Sequence, residues 1–472
     1  MLMNKKIKPI DVLVIGSGLS SLVFIKSYLK KRKKVEVISP DLNLMKFKRN
    51  NIAEHITKIL PPQMIGNDDK VKGYFYCNKI NLNKNCKLFG SLEFGGLSNY
   101  WGLQMDPDIL NDIKNLSNKT KKEISKSFLE LLKEFNLAGK FKKYENSFKK
   151  DNFFSTRRKE KTLLKFEEFI VGFKNSFGKK KKIDNVNEIK DKFIPKNYYK
   201  KFLINKKISF HNYFVKKIKK QGNLIEVICS NGNKNKSFFT KKIVIGSGTV
   251  VTTKIILDFL KINREIKLKH HPRLFSLYLS IKKWKNRMLF QPSQVHLKPK
   301  KETELFTADF RPGNKLIVDS IVKFKKYLYF LKPILNFFRF NMIFSNTLLN
   351  TKFSNIYLKL EKNNSLSIYS KDKDIDKIFK KSSNLVYKFL RNEKKILPFK
   401  INYFPGYGAD FHYFGTIQIG GKGKLSVNEN CQLSNNKNVY IIDGSVFNFK
   451  RNKYPLGLIL ANAKRVAKQI TK

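Results

Sequence analysis

The sequence predicts an α/β protein, and three observations carry that prediction. Near the N-terminus, Val12 to Ile15 is continuously apolar, as a parallel strand buried on both faces requires, and it opens directly into the turn Gly16-x-Gly18-x-x-Ser21. A second apolar run, Val439 to Ile442, ends at Asp443-Gly444-Ser445, the kind of strand end where α/β sheets bind ligands. Between them lie stretches such as IYLKLEKNNSLSIY (Ile356 to Tyr369), whose period of two is that of half-buried strands. At 472 residues the chain has room for two domains.

The first unit, Asp11 to Asp41, reads as strand, turn, helix, strand and is Rossmann-like. Gly16 allows the tight turn, and Gly18 lets the backbone approach a pyrophosphate. Ser21 is small enough for the helix to pack on the strand. Leu22, Ile25 and Leu29 recur at helical spacing, Lys30 to Lys34 close the C-terminal end, and Val35 to Ile38 forms the second strand. The acid that holds a ribose belongs about 20 residues past the glycines. Ser39 stands there and Asp41 follows two residues later, so Asp41 takes the ribose contact; a surface Asp in a turn is the equal alternative. The next glycine-rich stretch is FGGLSNYWG, Phe94 to Gly102. Its place downstream of a dinucleotide turn favours a cofactor loop over a merely tight, packed one.

Residues 106–204 read as a Lys-rich, mostly helical insertion. Ile124, Phe128, Leu131, Leu132 and Phe135 mark one amphipathic helix, and Lys179 to Lys182 marks a solvated loop. Strands are expected at Asn212 to Ile218, Leu224 to Cys229 and Ser237 to Phe239, leading into the buried strand and glycine turn of IVIGSGTVVTTKIIL (Ile243 to Leu257). Leu274 to Ile281 reads as a strand and Asp374 to Asn392 as a helix. Adjacent His270 and His271 diverge too far to ligate one metal and read as turn or domain-interface residues. The aromatic stretch Tyr327 to Phe344 reads first as core, with a lid or a membrane-dipping patch as alternatives.

Composition narrows the function classes. The formal charge of +61 would suit nucleic acid or anionic membranes. However, Lys is scattered over all elements, and Lys, Asn, Ile, Phe and Tyr are abundant together, as AT-rich coding gives; no nucleic-acid reader is expected. Cys77, Cys86, Cys229 and Cys431 show no metal-ligand spacing, so no metal and a reduced cytoplasmic setting are expected. The first apolar run is too short for a signal peptide, and Lys332, Pro333 and Arg339 interrupt the most apolar stretch, which excludes a span there. Peripheral contact with the anionic inner face of the cell membrane stays open.

Three C-terminal pieces, in this order and spacing, resemble the closing segment of the glucose–methanol–choline (GMC) oxidoreductases: FHYFGT with His412, VYIIDGSVF (Val439 to Phe447) and YPLGLILANAKRVA (Tyr454 to Ala467). The Phe94–Gly102 loop is similar to the family's flavin-covering loop, of its GG-x-S-N-x-W-G branch. Ile243 to Leu257 is similar to its central strand–turn motif, matched at Gly246, Gly248 and Thr252. The resemblance covers about half the chain. It implies a Rossmann-like FAD-binding domain in three parts (8–105, 205–265, 405–472), the helical insertion, and an antiparallel-sheet substrate domain at 266–404. It also implies FAD contacts from Gly95, Gly96, Ser98, Asn99, Val215, Asp443, Gly444 and Pro455, with His412 as catalytic base. Tyr100 replaces the histidine that some relatives link to the flavin, so the FAD is expected to be non-covalent. Tyr454 replaces the family's second catalytic His or Asn, and Leu458 its Thr. The implied reaction is FAD-dependent oxidation of an alcohol, a secondary hydroxyl of a sugar or polyol, with the electrons passing to oxygen, a quinone or a protein. The alternative is a membrane-associated flavoprotein that reduces or rearranges a lipid- or nucleotide-linked sugar; a non-catalytic basic binding protein is the third reading.

Overall fold

The computed structural model describes residues 8–41, 54–140, 164–174, 193–284, 295–299, 306–449 and 454–472, apart from short gaps within them. Its centre is a parallel sheet of five strands in the order Asn436–Ile441, Asn235–Ile245, Ile10–Ile15, Val35–Ile38 and Ile208–His211. The three innermost-reading runs of the sequence, around Leu13, Val244 and Ile441, are fully buried, as apolar strands covered on both faces must be. Antiparallel strands Phe214–Gln221 and Leu224–Ser230 extend the sheet from Asn235–Ile245. Helix Leu19–Tyr28 packs on helix Leu456–Ile470, which packs in turn on Asn118–Glu134.

The helix Asn118–Glu134 is the amphipathic one expected in the insertion, with Ile124, Phe128 and Leu131 inward. Ser117 caps its N-terminus, accepting from Thr120 N at 3.2 Å. The same interval also carries short strands, Leu137–Lys140, Leu164–Glu167 and Ile170–Lys174, which the apolar pattern did not announce. The Lys179–Lys182 loop lies outside the described residues.

The second domain is built on an antiparallel sheet in the order Lys400–Tyr403, Arg273–Leu279, Met342–Leu349, Phe306–Pro312, Val295–Pro299 and Leu164–Glu167. Its strands alternate. Leu274 and Tyr278, Phe306, Ala308 and Phe310 pack with helix Asp376–Asn392 in a core of their own. The intervening residues face the other way, towards the parallel sheet's glycine turns. Ile356–Leu360 and Leu366–Ser370 form the expected hairpin, in a small sheet with Ile266–Leu268 and Ile80–Leu82.

The core reading of Tyr327 to Phe344 is corrected. Only its last part, in strand Met342–Leu349, is buried. Lys326–Leu331 and Lys332–Phe337 form two short helical turns whose large side chains point to solvent: Phe330 is 74% and Phe337 68% exposed. The turns lie against helix Lys315–Phe324 and leave these rings uncovered, and Pro333 at the start of the second fixes their break.

Candidate active site

A cavity of about 410 Å³ opens between the two domains, a size usual for ligand and cofactor sites. Its floor is made by three glycine turns from distant parts of the chain. Gly16 has φ +100°, and a Cβ there would lie 2.5 Å from the carbonyl oxygen of Gly246. Any side chain at Gly16 would therefore separate the first and central strands, so the residue is fixed by backbone geometry. Ser21 is fully buried, and its hydroxyl donates to Gly246 O at 3.4 Å, which seats the first helix on the second glycine turn. Gly18 lines the cavity, and a Cβ on it would come 3.2 Å from Ser98 Oγ. That hydroxyl accepts from Leu19 N at 3.1 Å, so the small residue lets the Phe94–Gly102 loop dock on the helix start.

The loop is anchored from beneath by Glu93, a buried acid the sequence reading missed. Its carboxylate accepts from Asn99 Nδ2, from the Tyr100 hydroxyl at 2.9 Å and from Lys70. Gly95 N donates to Ser17 Oγ at 2.8 Å, and Ser17 Oγ lies 2.8 Å from Ser39 Oγ. Gly95, Gly96 and Ser98 line the cavity, whereas Asn99 holds the loop from behind. At the other end of the floor lie Val215, Ser39 and Pro40. Asp41 does not line the cavity; its backbone N–H donates to Asn212 Oδ1 at 2.7 Å, and Ser39 is the residue at the strand end that faces inward.

Asp443 joins the third turn to the second. One carboxylate oxygen accepts from Gly248 N at 3.0 Å and from Thr252 Oγ1 at 2.5 Å, and the other from Ser445 N and Oγ. Burial raises its pKa, and these hydrogen bonds oppose the rise. Gly248, Asp443, Gly444 and Pro455 line the cavity, and Pro455 is the N-cap of helix Leu456–Ile470, whose N-terminus therefore faces the space.

His412 and Tyr454 meet at the junction of floor and roof. Their rings are 5.4 Å apart at 89°, and His271 packs edge-on against His412 at 5.4 Å. Phe411, immediately before, adopts φ +65°, a strained conformation for a bulky residue, and stacks on Phe89 at 4.7 Å. The segment is stapled to the second domain by Asp410, whose oxygens accept from His271 N at 2.8 Å and contact His270 Nδ1 at 3.1 Å. His270 and His271 are thus buried at the domain interface, as their sequence position suggested, but His271 also forms the back wall of His412. Burial pushes the His412 pKa down to about 3, with His271 adding to the shift, and burial takes His271 to about 4. Burial opposes charge on Asp410 too, yet His270 beside it holds it down to about 2. The imidazole of His412 is therefore neutral over the physiological range.

The roof supplies Arg273, Phe275, Arg311 and Asn346, none of which was singled out in the sequence. The signal was present: in FTADFRP the apolar residues Phe306, Ala308 and Phe310 fix one face, which puts Asp309 and Arg311 on the other.

These residues suit a dinucleotide. Two helix N-termini converge on one cavity, and the first turn is closed to any side chain at Gly16. Among the described residues no cluster could hold a metal ion, and no helix is long and apolar enough to cross a membrane.

In fold the chain is similar to the crystal structure of pyridoxine 4-oxidase from Mesorbium loti, with a TM-score of 0.56, covering 98% of this chain and 99% of that one at 11% sequence identity. It therefore shares that protein's Rossmann-type α/β fold with a second, sheet-built domain. No protein-family model and no curated protein matches the sequence.

Proposed function

We propose that this chain is an FAD-dependent oxidoreductase of the GMC type that oxidises a hydroxyl of a sugar or polyol. The observation that carries the reading is His412: an imidazole kept neutral by burial, at the point where the glycine-turn floor meets the second domain. A bound flavin would supply the hydride acceptor. The first glycine turn and the start of helix Leu19–Tyr28 would hold the pyrophosphate, and helix Leu456–Ile470 would turn its positive end to the ring system. His412 takes the hydroxyl proton as the carbon gives up hydride, and Tyr454 beside it orients the same oxygen. Phe275 and Tyr454 give the apolar faces of a sugar two rings to lie against. The phenol of Tyr100 donates to Glu93, and burial raises its pKa, so it is a poor nucleophile; the FAD is held without a covalent bond.

The purified protein should be yellow, and acid precipitation should leave the flavin in the supernatant. His412→Ala should keep FAD and lose roughly two to four orders of magnitude in the rate of flavin reduction by a polyol, the usual scale of general-base catalysis. Wild-type-like reduction by that variant would send the base elsewhere.

A second reading concerns where the enzyme works: at an anionic membrane surface. The exposed Tyr327, Tyr329, Phe330, Ile334, Phe337 and Phe338 support it, because large exposed apolar side chains in a Lys- and Arg-rich segment are the chemistry of interfacial segments. Residues 315–341 carry six Lys or Arg and one acid, Asp319. Lys283 lies 5.7 Å over the Phe337 ring. A segment of so basic a composition repels a second copy of this chain and attracts anionic lipid. Co-sedimentation with phosphatidylserine-containing vesicles, absent with neutral ones, is the expected result.

A further inference from the structure

From the geometry of the cavity roof we infer that the substrate carries an anionic group, a carboxylate or a phosphate, which Arg311 receives. This rests on the proposed oxidation and names the class of molecule that would be oxidised. Arg311 lies on strand Phe306–Pro312, whose even-numbered residues Phe306, Ala308 and Phe310 are buried in the second domain's own core. Strand alternation therefore commits Arg311 to the cavity, where its side chain lines the wall. Burial lowers its pKa to about 10, and the neighbouring Arg273 adds to the shift; it stays a cation.

The surrounding groups leave that cation unanswered. No hydrogen bond or ion pair joins the Arg311 guanidinium to any described residue, although it offers five N–H donors. Arg273 spends two nitrogens on backbone oxygens, Ala409 O at 3.2 Å and Asp410 O at 3.1 Å, and its Nε is buried without an acceptor. Two carboxylates lie near. Asp410 is taken by His270 and the His271 N–H, and Asp309, on the same strand face as Arg311 but buried and off the cavity lining, lies 3.4 Å from Asn346 Nδ2. Asp309 favours the Arg311 charge less than Arg273 opposes it, and neither carboxylate takes up the Arg311 donors. A half-enclosed guanidinium with no acceptor is costly, and the planar fork matches a carboxylate or phosphate two bonds at a time. A neutral hydroxyl could accept one such bond without returning charge. Arg311 and Arg273 belong to the second domain's sheet, while the glycine turns suited to a pyrophosphate belong to the parallel one. The anion they await is therefore on the substrate.

The test uses the holoprotein, titrated separately with inorganic phosphate, acetate and neutral glucose. The signal is the flavin's visible spectrum, because the many surface lysines bind anions without touching the cavity. Fluorescence of Trp101, which lines the cavity, recorded in a Trp284→Phe background, gives a readout that needs no flavin. A saturable change with phosphate or acetate at about millimolar concentration is expected, and which of the two binds tighter names the group. Arg311→Gln should weaken it at least tenfold and Arg311→Lys less, with glucose unaffected by either; the Lys variant serves if Gln fails to fold. No anion effect in the wild type, or an equal effect in Arg311→Gln, would overturn the inference. So would loss of flavin from Arg311→Gln, which would make the arginine a cofactor ligand. A colourless wild type that still shows Arg311-dependent Trp101 quenching would instead sink the flavin reading and leave the anion site standing.

Discussion

In the proposed reaction Tyr454 is the residue that decides how the substrate oxygen is held, because its ring lines the cavity at right angles to His412. If its hydroxyl steadies the substrate oxygen as the proton leaves, Tyr454→Phe removes one hydrogen bond to a developing charge. Flavin reduction should then slow about tenfold, with substrate affinity little changed. Stopped-flow reduction under anaerobic conditions separates the two parameters. A silent Phe variant together with weakened binding in Tyr454→Ala would make the ring a wall of the pocket and nothing more. The aim of His412 itself is set one residue earlier: the left-handed Phe411, clamped on Phe89, turns the next side chain into the cavity.

Among the elements, the two helical turns Lys326–Leu331 and Lys332–Phe337 depart furthest from what composition suggests. They interrupt the connection between two neighbouring roof strands, Phe306–Pro312 and Met342–Leu349, at the strand ends where Arg311 lies opposite Phe344. Each exposed aromatic that inserts into an interface contributes on the order of 1–2 kcal/mol by area removed from water. Replacing Phe330 and Phe337 together by Ser should then weaken vesicle binding roughly tenfold or more. It should leave thermal stability within about a degree or two, since neither side chain has core contacts to lose. Vesicle binding that survives the double substitution but vanishes in high salt would assign it to the lysines alone. A variant that unfolds would show the patch to be core after all.

For the molecule as a whole, the buried histidines set a pH dependence. His271 and His412 have folded pKa values of about 4 and about 3, below the 6.5 of an unfolded chain. Between pH 6.5 and about 4 the unfolded state binds protons that the native state refuses, so stability must fall as pH falls through that window. Asp410, held at about 2, extends the loss to lower pH, while Asp443, raised by burial, works the other way just above its ordinary range. Thermal melts of the flavin-free protein from pH 7 to 4.5 should show a falling midpoint. His412→Gln should flatten the slope; an unchanged slope would show that His412 is not the proton-refusing group.

The sequence by itself determined the Rossmann-like unit, the central strand–turn–helix and the final helix. It could, because these are local patterns: continuous apolar strands, glycines at turns whose φ no other residue tolerates, and a helical period. The hairpin and the Asp376–Asn392 helix were legible for the same reason. Only the tertiary structure decided which distant residues share one cavity. Glu93 looks like any acid until Asn99, Tyr100 and Lys70 close on it. Asp41 and Ser39 are two residues apart; the strand ends at Ile38, and past it Ser39 lines the cavity while Asp41 turns to Asn212. Arg311 and Arg273 come from strands that are not even adjacent in their sheet, and both line the cavity that His412 lines because their strands pack the other face into the second domain's core. Tyr327 to Phe338 had the composition of a core, and its large rings are exposed because no described element covers them. Periodicity records which face of an element is apolar; what that face meets is a property of the assembled fold.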